Sequence, residues 1–167
     1  MKKNLLLILF FLLPVLTNAQ AVKFGFFSYD SAFKSMPEYV IANKNISDLK
    51  NRYDAEAKRV EDEFNKKYED FLEGQKDFPQ NILEKRQAEL QELMDKNVAF
   101  KEESKKMLSA AEKDTFAPVY DKLDSIVRTI GKERGYAFII NTDNKSCPYI
   151  DSTLGEDINT IVKDRLK

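Results

Sequence analysis

The feature that most constrains this chain is a narrow apolar stripe that repeats every 11 residues between residues 42 and 71. Its members are separated by four, three and four residues in turn, and they are Ala42, Ile46, Leu49, Tyr53, Ala57, Val60, Phe64, Tyr68 and Phe71. This period averages about 3.67 residues per turn, which is typical of a nearly straight helix or a slightly right-handed supercoil. Because charged residues dominate the rest of this segment, the stripe predicts one long helix that packs against a single partner helix.

Residues 74–80 interrupt this pattern and predict the tip of a helical hairpin. Gly74 is expected to end the first helix, and Asp77 is expected to cap the second helix. The first helix should begin in the same way, because Ser35 and Glu38 have the spacing of a capping box. A proline follows two residues after each predicted cap, where the first turn of a helix tolerates it.

The second helix carries a sparser apolar stripe before it returns to the base. The members that we assign to this stripe are Leu83, Leu90, Met94, Val98, Met107, Leu108 and Ala111. Pro118 is expected to bend the helix where it rejoins the base. A richer apolar face follows and predicts packing into a core, and it consists of Val119, Tyr120, Leu123, Ile126, Val127 and Ile130.

Short strands are predicted near both ends of the chain. Residues 22–28 should form a strand with Val22, Phe24 and Phe26 on one face, and Asp30 should cap a helical turn after it. Residues 136–141 form a second predicted strand, apolar on both faces, after a helix that ends at Gly135.

The last 26 residues are expected to contain a turn, a strand and a closing helix. Residues 142–145 predict the turn, and residues 148–150 predict a short returning strand. Residues 153–156 have a third capping-box spacing and should start the closing helix. The apolar face of that helix would consist of Leu154, Ile158, Ile161, Val162 and Leu166.

These patterns predict a mostly α, α+β fold in which a long antiparallel helical hairpin, coiled-coil-like, projects from a small β-containing body. The hairpin arm would comprise residues 37–116, with its tip near 74–80, and the body would comprise residues 20–36 and 117–167. An arm of roughly 37 residues per helix would be about 55 Å long.

The predicted body is small, and its sheet is apolar on both faces. Such a body stabilises itself only marginally, and an open apolar sheet tends to associate. We therefore predict self-association, with a monomer whose two helices cover both sheet faces as the alternative. The residues predicted to mediate self-association are Val22, Phe24, Phe26, Phe138 and Ile140.

The first 19 residues have the pattern of a signal peptide. Lys2 and Lys3 precede an apolar run at residues 5–13, and small residues end at Ala19, where we expect cleavage. The apolar run is shorter than the roughly 20 residues of a membrane-spanning helix, so an uncleaved anchor is the weaker interpretation. The mature chain is expected to be exported.

The charge balance and the absence of histidine exclude several classes of function. Removal of Lys2 and Lys3 from 27 basic residues leaves 25 against 28 acidic ones, a net charge of −3 that argues against a nucleic-acid binder. There is no His, and Cys147 is the only cysteine, so histidine-based catalysis and an intramolecular disulfide are excluded. We expect no enzyme, no metal and no cofactor, and a carboxylate-based hydrolase is the least favoured alternative.

Several short segments, in this order and around this hairpin, resemble the OmpH family of periplasmic chaperones. They are residues 22–30 (VKFGFFSYD), 36–38 (MPE), 135–141 (GYAFIIN), Tyr149 and 157–159 (DIN), with Asn in the last segment where the family usually has Thr. The resemblance implies a homotrimer whose body joins three hairpin arms around a cavity. It also implies that unfolded outer-membrane proteins are held in this periplasmic cavity without ATP. A structural hairpin adaptor with one dedicated partner is the alternative function.

Four aromatic residues of the arm are candidates for contact with such clients. They are Phe78, Phe100, Tyr68 and Phe71. Phe78 lies beside the tip, where it could instead close the turn, and Phe100 lies off the predicted stripe of the second helix. Packing between the helices is the competing interpretation for Tyr68 and Phe71. Residues 42–111 mix both signs of charge, which does not favour binding of lipopolysaccharide or anionic membranes.

Overall fold

The computed structural model describes residues 22–167, so the predicted signal peptide at 1–19 lies outside the described residues. The elements, in chain order, are β1 (Phe24–Phe27), α1 (Tyr29–Lys34), α2 (Pro37–Gly74), α3 (Gln80–Arg134), β2 (Phe138–Asn141), a 3-10 turn (Asp143–Lys145), β3 (Gly155–Asp157) and α4 (Asn159–Arg165). The two long helices form a hairpin beside a small sheet. The predicted fold class, mostly α within α+β, is therefore confirmed.

Helices α2 and α3 pack along the stripe that the 11-residue period predicts on α2. Tyr53 meets Phe100 across the interface, with their ring centroids 6.4 Å apart. Farther along, the Asn97 side-chain amide donates a hydrogen bond to the Val60 carbonyl oxygen over 3.0 Å. Of the stripe members, only Tyr68 is exposed, so α2 packs as the period predicts.

The stripe of α3 differs from the prediction. Met94, Val98 and Met107 are exposed, so they do not form the interface with α2. The half-buried positions from residue 93 onward instead repeat the spacing of four, three and four residues, and they are Leu93, Asn97, Phe100, Ser104, Leu108, Ala111 and Thr115. The 11-residue period is therefore present on both helices, and the prediction that Phe100 lies off the stripe is wrong.

The predicted side-chain caps of the long helices are also wrong. Helix α2 follows Met36, which makes no side-chain cap, and α3 begins at Gln80, three residues after Asp77. Ser35 instead ends α1, where its hydroxyl donates to the Ala32 carbonyl oxygen over 2.7 Å. Glu38 forms an ion pair with Lys122 of α3 rather than closing a capping box. Contacts with other elements have replaced the expected local ones.

The residue that caps the start of α1 also differs from the prediction. The Ser31 backbone N–H donates to the Ser28 hydroxyl oxygen over 3.1 Å, so Ser28 is the cap. Asp30, which the sequence predicted as the cap, lies inside α1 and pairs with Lys34 over 2.7 Å. Helix α1 thus begins two residues earlier than its polar residues suggested.

Helix α3 continues through Pro118 without interruption and ends at Gly135, which has a left-handed φ of 67°. Beyond the proline, Val119, Leu123 and Ile130 are buried, as the apolar face predicts. Tyr120 remains exposed at its edge but stacks on Phe33, with ring centroids 4.2 Å apart. The return of α3 therefore supplies one wall of the body.

The three strands form a parallel sheet in the order β2-β1-β3. Phe24 lies between Phe138 and Gly155, and Phe26 lies between Ile140 and Asp157. The strand predicted at residues 148–150 is absent there, and the third strand lies instead at Gly155–Asp157.

The start of the closing helix is also later than predicted. Thr153 does not cap a helix, because its hydroxyl and backbone N–H both bond to the Asp151 carboxylate. Helix α4 begins only at Asn159. Residue 154 therefore lies outside it and is exposed, whereas Ile158, Val162 and Leu166 are buried as predicted.

The hydrophobic core lies on one side of this sheet, under α1, the return of α3 and α4. Its buried members are Phe27, Ala32, Phe33, Met36, Ala42, Val119, Leu123, Ile130, Ile158, Val162 and Leu166. Ala42 and the half-buried Phe116 show that the first turns of the hairpin contribute to this core. The base of the hairpin and the sheet are consequently packed as one unit.

Candidate self-association and client-binding surfaces

The face of the sheet opposite the core is made of large apolar side chains. Side chains alternate along a strand, and residues that pair in register share a face. With Phe27 and Ile139 in contact with the core, the opposite face carries Phe24, Phe26, Phe138 and Ile140, which we call the outer sheet face. The predicted self-association residues of the two strands therefore lie together on one surface.

Aromatic stacking defines the geometry of the outer sheet face. The rings of Phe24 and Phe138 stack with centroids 5.4 Å apart and planes 15° apart. On the other side, the Phe24 ring covers Gly155, where a Cβ would lie 2.3 Å from a ring carbon. Phe138 nevertheless keeps 49 % of its surface exposed, and Val22, just before β1, keeps 60 %. A single chain thus leaves a preformed aromatic surface in contact with solvent.

A charged network holds one end of this sheet. The Glu156 carboxylate accepts a hydrogen bond from the Tyr136 hydroxyl. It accepts a second one from the Arg134 guanidinium, over 2.5 Å, and the Lys23 ammonium lies 3.8 Å away. The bond from Tyr136, followed by the charges of Arg134 and Lys23, lowers the pKa of Glu156. Burial, followed by the bond to Glu156, raises the pKa of Tyr136 to about 12. Both groups therefore keep one protonation state near neutral pH, as in a structural site.

A second network joins the carboxyl ends of β1 and β2. The Asp143 carboxylate accepts from the Asp30 backbone N–H and from the Ser28 hydroxyl, each over 2.7 Å. These two bonds lower the pKa of Asp143 despite its partial burial. The Asn141 side-chain oxygen accepts from the Tyr29 N–H over 3.2 Å. This cluster holds the start of α1 against the sheet, and within residues 22–167 no group of acidic or cysteine side chains has the arrangement of a metal site.

The four candidate client-contact residues occupy different environments. Tyr68 is 45 % exposed and stacks on Phe64, with centroids 6.0 Å apart. Phe100 is half-buried between the helices, against Tyr53, so it faces the partner helix. Phe71 and Phe78 are half-buried near the tip, where they line one cleft. The structure therefore brings only Phe71 and Phe78 together.

Phe78 packs against the end of α2. A Cβ added at Gly74 would lie 2.5 Å from the Phe78 ring, so the ring occupies the space that a side chain would fill. The Asp77 backbone N–H donates to the Gly74 carbonyl oxygen over 3.0 Å and tightens the same turn. Phe78 closes the tip turn, as one of its two sequence interpretations expected.

Sequence reasoning missed most of the apolar groups that the arm exposes. Besides Tyr68, the exposed large apolar side chains of the two long helices before the return to the base are Val40, Ile41, Leu72, Ile82, Met94, Val98 and Met107. All except Ile82 lie off the 11-residue stripe of their helix, and this is the signal that could have identified them. Ile82 lies 11 residues before Leu93, on the stripe of α3, but is exposed near the tip. They are scattered along the arm and do not form one continuous patch in sequence.

Charges between these apolar groups nearly cancel. Residues 42–111 contain 16 acidic and 14 basic side chains. Many pair along one helix, as Arg59 does with Glu56 over 2.7 Å and Lys96 with Glu92 over 2.5 Å. Such exposed pairs contribute little stability, but they leave the arm without a strong field of one sign. Among the described helices, none is long and apolar enough to cross a membrane.

A comparison with protein families identifies the family of this chain. The model of the family described as outer membrane protein (OmpH-like) matches residues 23–166, which include the sheet, both long helices and the last helix. The chain belongs to the OmpH family. A search of curated proteins finds no match to this OmpH-family chain. Membership in the OmpH family supports a chaperone-like role in the periplasm, and this family is not one of enzymes.

Proposed function

We propose that this OmpH-family protein is an ATP-independent holdase that binds unfolded outer-membrane proteins in the periplasm and prevents their aggregation. The mature chain, cleaved after Ala19, assembles as a homotrimer through its outer sheet face. Three hairpin arms then surround a cavity in which one unfolded client is held.

The observation that carries this proposal is the outer sheet face at the base of a long free arm. Stacked Phe24 and Phe138, with Phe26 and Ile140 beside them, form an apolar surface on the side of the sheet away from the core. Exposed apolar surfaces of this kind mark sites of protein–protein contact. Association through the base places the arms of different subunits side by side, because each arm leaves its own base through α2 and α3.

The surface of the arm suits weak contact with many different chains. Exposed apolar side chains such as Met94, Val98 and Met107 are separated by charged residues. Each contact buries little area, so affinity depends on several contacts made at once inside a confined volume. Shallow contacts also accept many sequences, whereas a deep pocket would select one. Release then requires no nucleotide, consistent with a sequence that lacks a glycine-rich phosphate loop.

Because the charges of the arm nearly cancel, electrostatic attraction contributes little to the capture of clients. Strong steering needs a field of one sign, which 16 acidic and 14 basic residues do not produce. We therefore propose neither lipopolysaccharide nor anionic membranes as partners. Client holding should change little when the salt concentration is raised.

The test uses the mature chain, residues 20–167, and a β-barrel membrane protein unfolded in urea. On dilution of the urea, a stoichiometric amount of trimer should suppress light scattering by the barrel protein. Native mass spectrometry should show a trimer that gains the mass of one client. A monomer that gains no client would overturn the proposal. Capture of one folded envelope protein, without any effect on unfolded chains, would instead favour the adaptor function.

A further inference from the structure

The tip of the arm contains a cleft between α2 and α3. Its volume is about 270 Å³, and its apolar lining comes from Phe71, Phe78 and Leu90. This volume lies below the roughly 300–1,000 Å³ of pockets that hold drug-sized ligands. The cleft therefore has room for one large side chain but is too small to enclose a drug-sized molecule.

We propose that this tip cleft binds one large apolar side chain of an extended client segment in which apolar and polar residues alternate. The inference rests on the proposed holdase function and names the kind of segment that its arm tips select. Strands of outer-membrane barrels have this alternation, with apolar side chains toward lipid and polar ones toward the lumen.

Four charged side chains form the rim of the tip cleft, and they are Lys67, Asp70, Arg86 and Glu89. Arg86 and Glu89 pair with each other over 2.8 Å, and Lys67 lies 3.8 Å from Glu63 of its own helix. Two positive and two negative groups around an apolar floor complement a segment whose central residue is apolar and whose neighbours are polar. A continuous apolar segment would remove these charges from water without offering them a hydrogen bond, which costs free energy even for groups that are already paired. The rim thus favours the alternating pattern over an apolar run.

The shape of the cleft depends on the glycine at position 74. At Gly74 the absence of a side chain lets the Phe78 ring lie against the end of α2, where a Cβ would approach it to 2.5 Å. Alanine is more favourable than glycine in a helix by about 1 kcal/mol, so Gly74→Ala should leave the helix intact while displacing Phe78. This substitution alters the cleft without removing any packed side chain.

The experiment uses a nine-residue peptide in which Val alternates with Thr or Ser around a single central Trp. Because the protein contains no Trp, fluorescence reports on the peptide alone. A second peptide of the same composition places its apolar residues together. The alternating peptide should bind the full mature trimer with blue-shifted emission and at least several-fold more tightly than the second peptide.

Variants then locate the binding site. Phe71→Ala and Gly74→Ala should each weaken binding of the alternating peptide by about tenfold, the effect of losing one good apolar contact. Glu73→Ala is the matched control, because Glu73 is an exposed, polar neighbour of Gly74 that does not line the cleft, and it should leave the affinity unchanged. Circular dichroism verifies that each variant is folded.

Three results would overturn the inference. The first is equal affinity for the two peptides, and the second is an equal effect of Glu73→Ala and Gly74→Ala. The third is peptide binding that weakens as the protein is concentrated, which would show that a second copy occupies the cleft. If the wild-type protein still suppresses barrel aggregation in these cases, the holdase function stands and only the tip cleft is excluded. Failure of the wild-type protein to suppress aggregation would overturn the holdase function itself, whatever the peptides do.

Discussion

Replacement of Phe138 by serine should dissociate the proposed trimer into monomers. Phe138 is 49 % exposed in a single chain. An aromatic side chain has roughly 200 Å² to bury, so about 100 Å² of Phe138 remains for contact with another subunit. At about 25 cal/mol per Å², this contact stabilises association by about 2.5 kcal/mol per subunit. In the proposed trimer the loss occurs three times, so the association constant should fall by roughly five orders of magnitude.

Sedimentation velocity at micromolar concentration measures this change directly. Thermal melting gives a second measurement, since the melting temperature of an associating protein rises with concentration. Wild type should show this dependence, and Phe138→Ser should not. Tyr149→Ser is the control, because Tyr149 is 78 % exposed in the loop between β2 and β3 and takes no part in the stack with Phe24.

The reasoning would be refuted if Phe138→Ser kept both the wild-type mass and the concentration-dependent melting. It would also be refuted if Tyr149→Ser dissociated the protein to the same extent. Circular dichroism must show native helix content in the variant, because the lost stack with Phe24 costs the body about 0.5–1.5 kcal/mol in addition to buried area.

Three further predictions concern the body. Gly135→Ala should lower the free energy of unfolding by about 1 kcal/mol, because φ is 67° at this position. Gly131→Ala should raise it by up to about 1 kcal/mol, because residue 131 lies inside α3 and an added Cβ would make only ordinary van der Waals contact. Urea titrations should therefore show changes of opposite sign for the two variants. Leu123→Ala, at a fully buried site, should lower the free energy of unfolding by about 2–5 kcal/mol. A melting temperature within 2 °C of wild type, which corresponds to about 1 kcal/mol or less, would contradict this. The pKa of Asp143 is lowered in the folded state, so its carboxylate stabilises the fold above the unfolded pKa of about 3.9. This stabilisation is lost as the pH falls through the folded pKa. In urea titrations, Asp143→Asn should therefore be less stable than wild type at pH 6, and the difference should shrink toward pH 2.

The hairpin could be predicted because α2 carries an apolar residue at nearly every interface position. The interface of α3 was harder to recognise, since Asn97, Ser104 and Thr115 occupy positions in the same period. Asn97 is accommodated there because its amide donates a hydrogen bond to the Val60 carbonyl oxygen, whereas the Ser104 hydroxyl is buried without a hydrogen-bond partner. A pattern search for apolar residues therefore selected exposed neighbours of the true interface.

The third strand and the caps depend on tertiary contacts that a local pattern does not contain. Residues 155–157 (GED) have little strand preference of their own, and they form a strand because they pair with β1. Ser35 and Asp77 have the residue types of caps, but both lie in turns that precede the actual helix starts. For the candidate surfaces, alternation along β1 and β2 predicted the outer sheet face. The tip cleft required the position of the Phe78 ring over Gly74.

The shared 11-residue period of α2 and α3 makes the length of the arm a modular property. Eleven residues complete very nearly three helical turns, so inserting 11 residues into each helix would return every later side chain to its original direction. The core of the body, the outer sheet face and the tip turn would all keep their local contacts, while the arm would grow by about 16 Å. In the trimer proposed above, the depth of the cavity between the arms, and with it the size of client that could be enclosed, would thus vary by duplication of a short segment without redesign of either end.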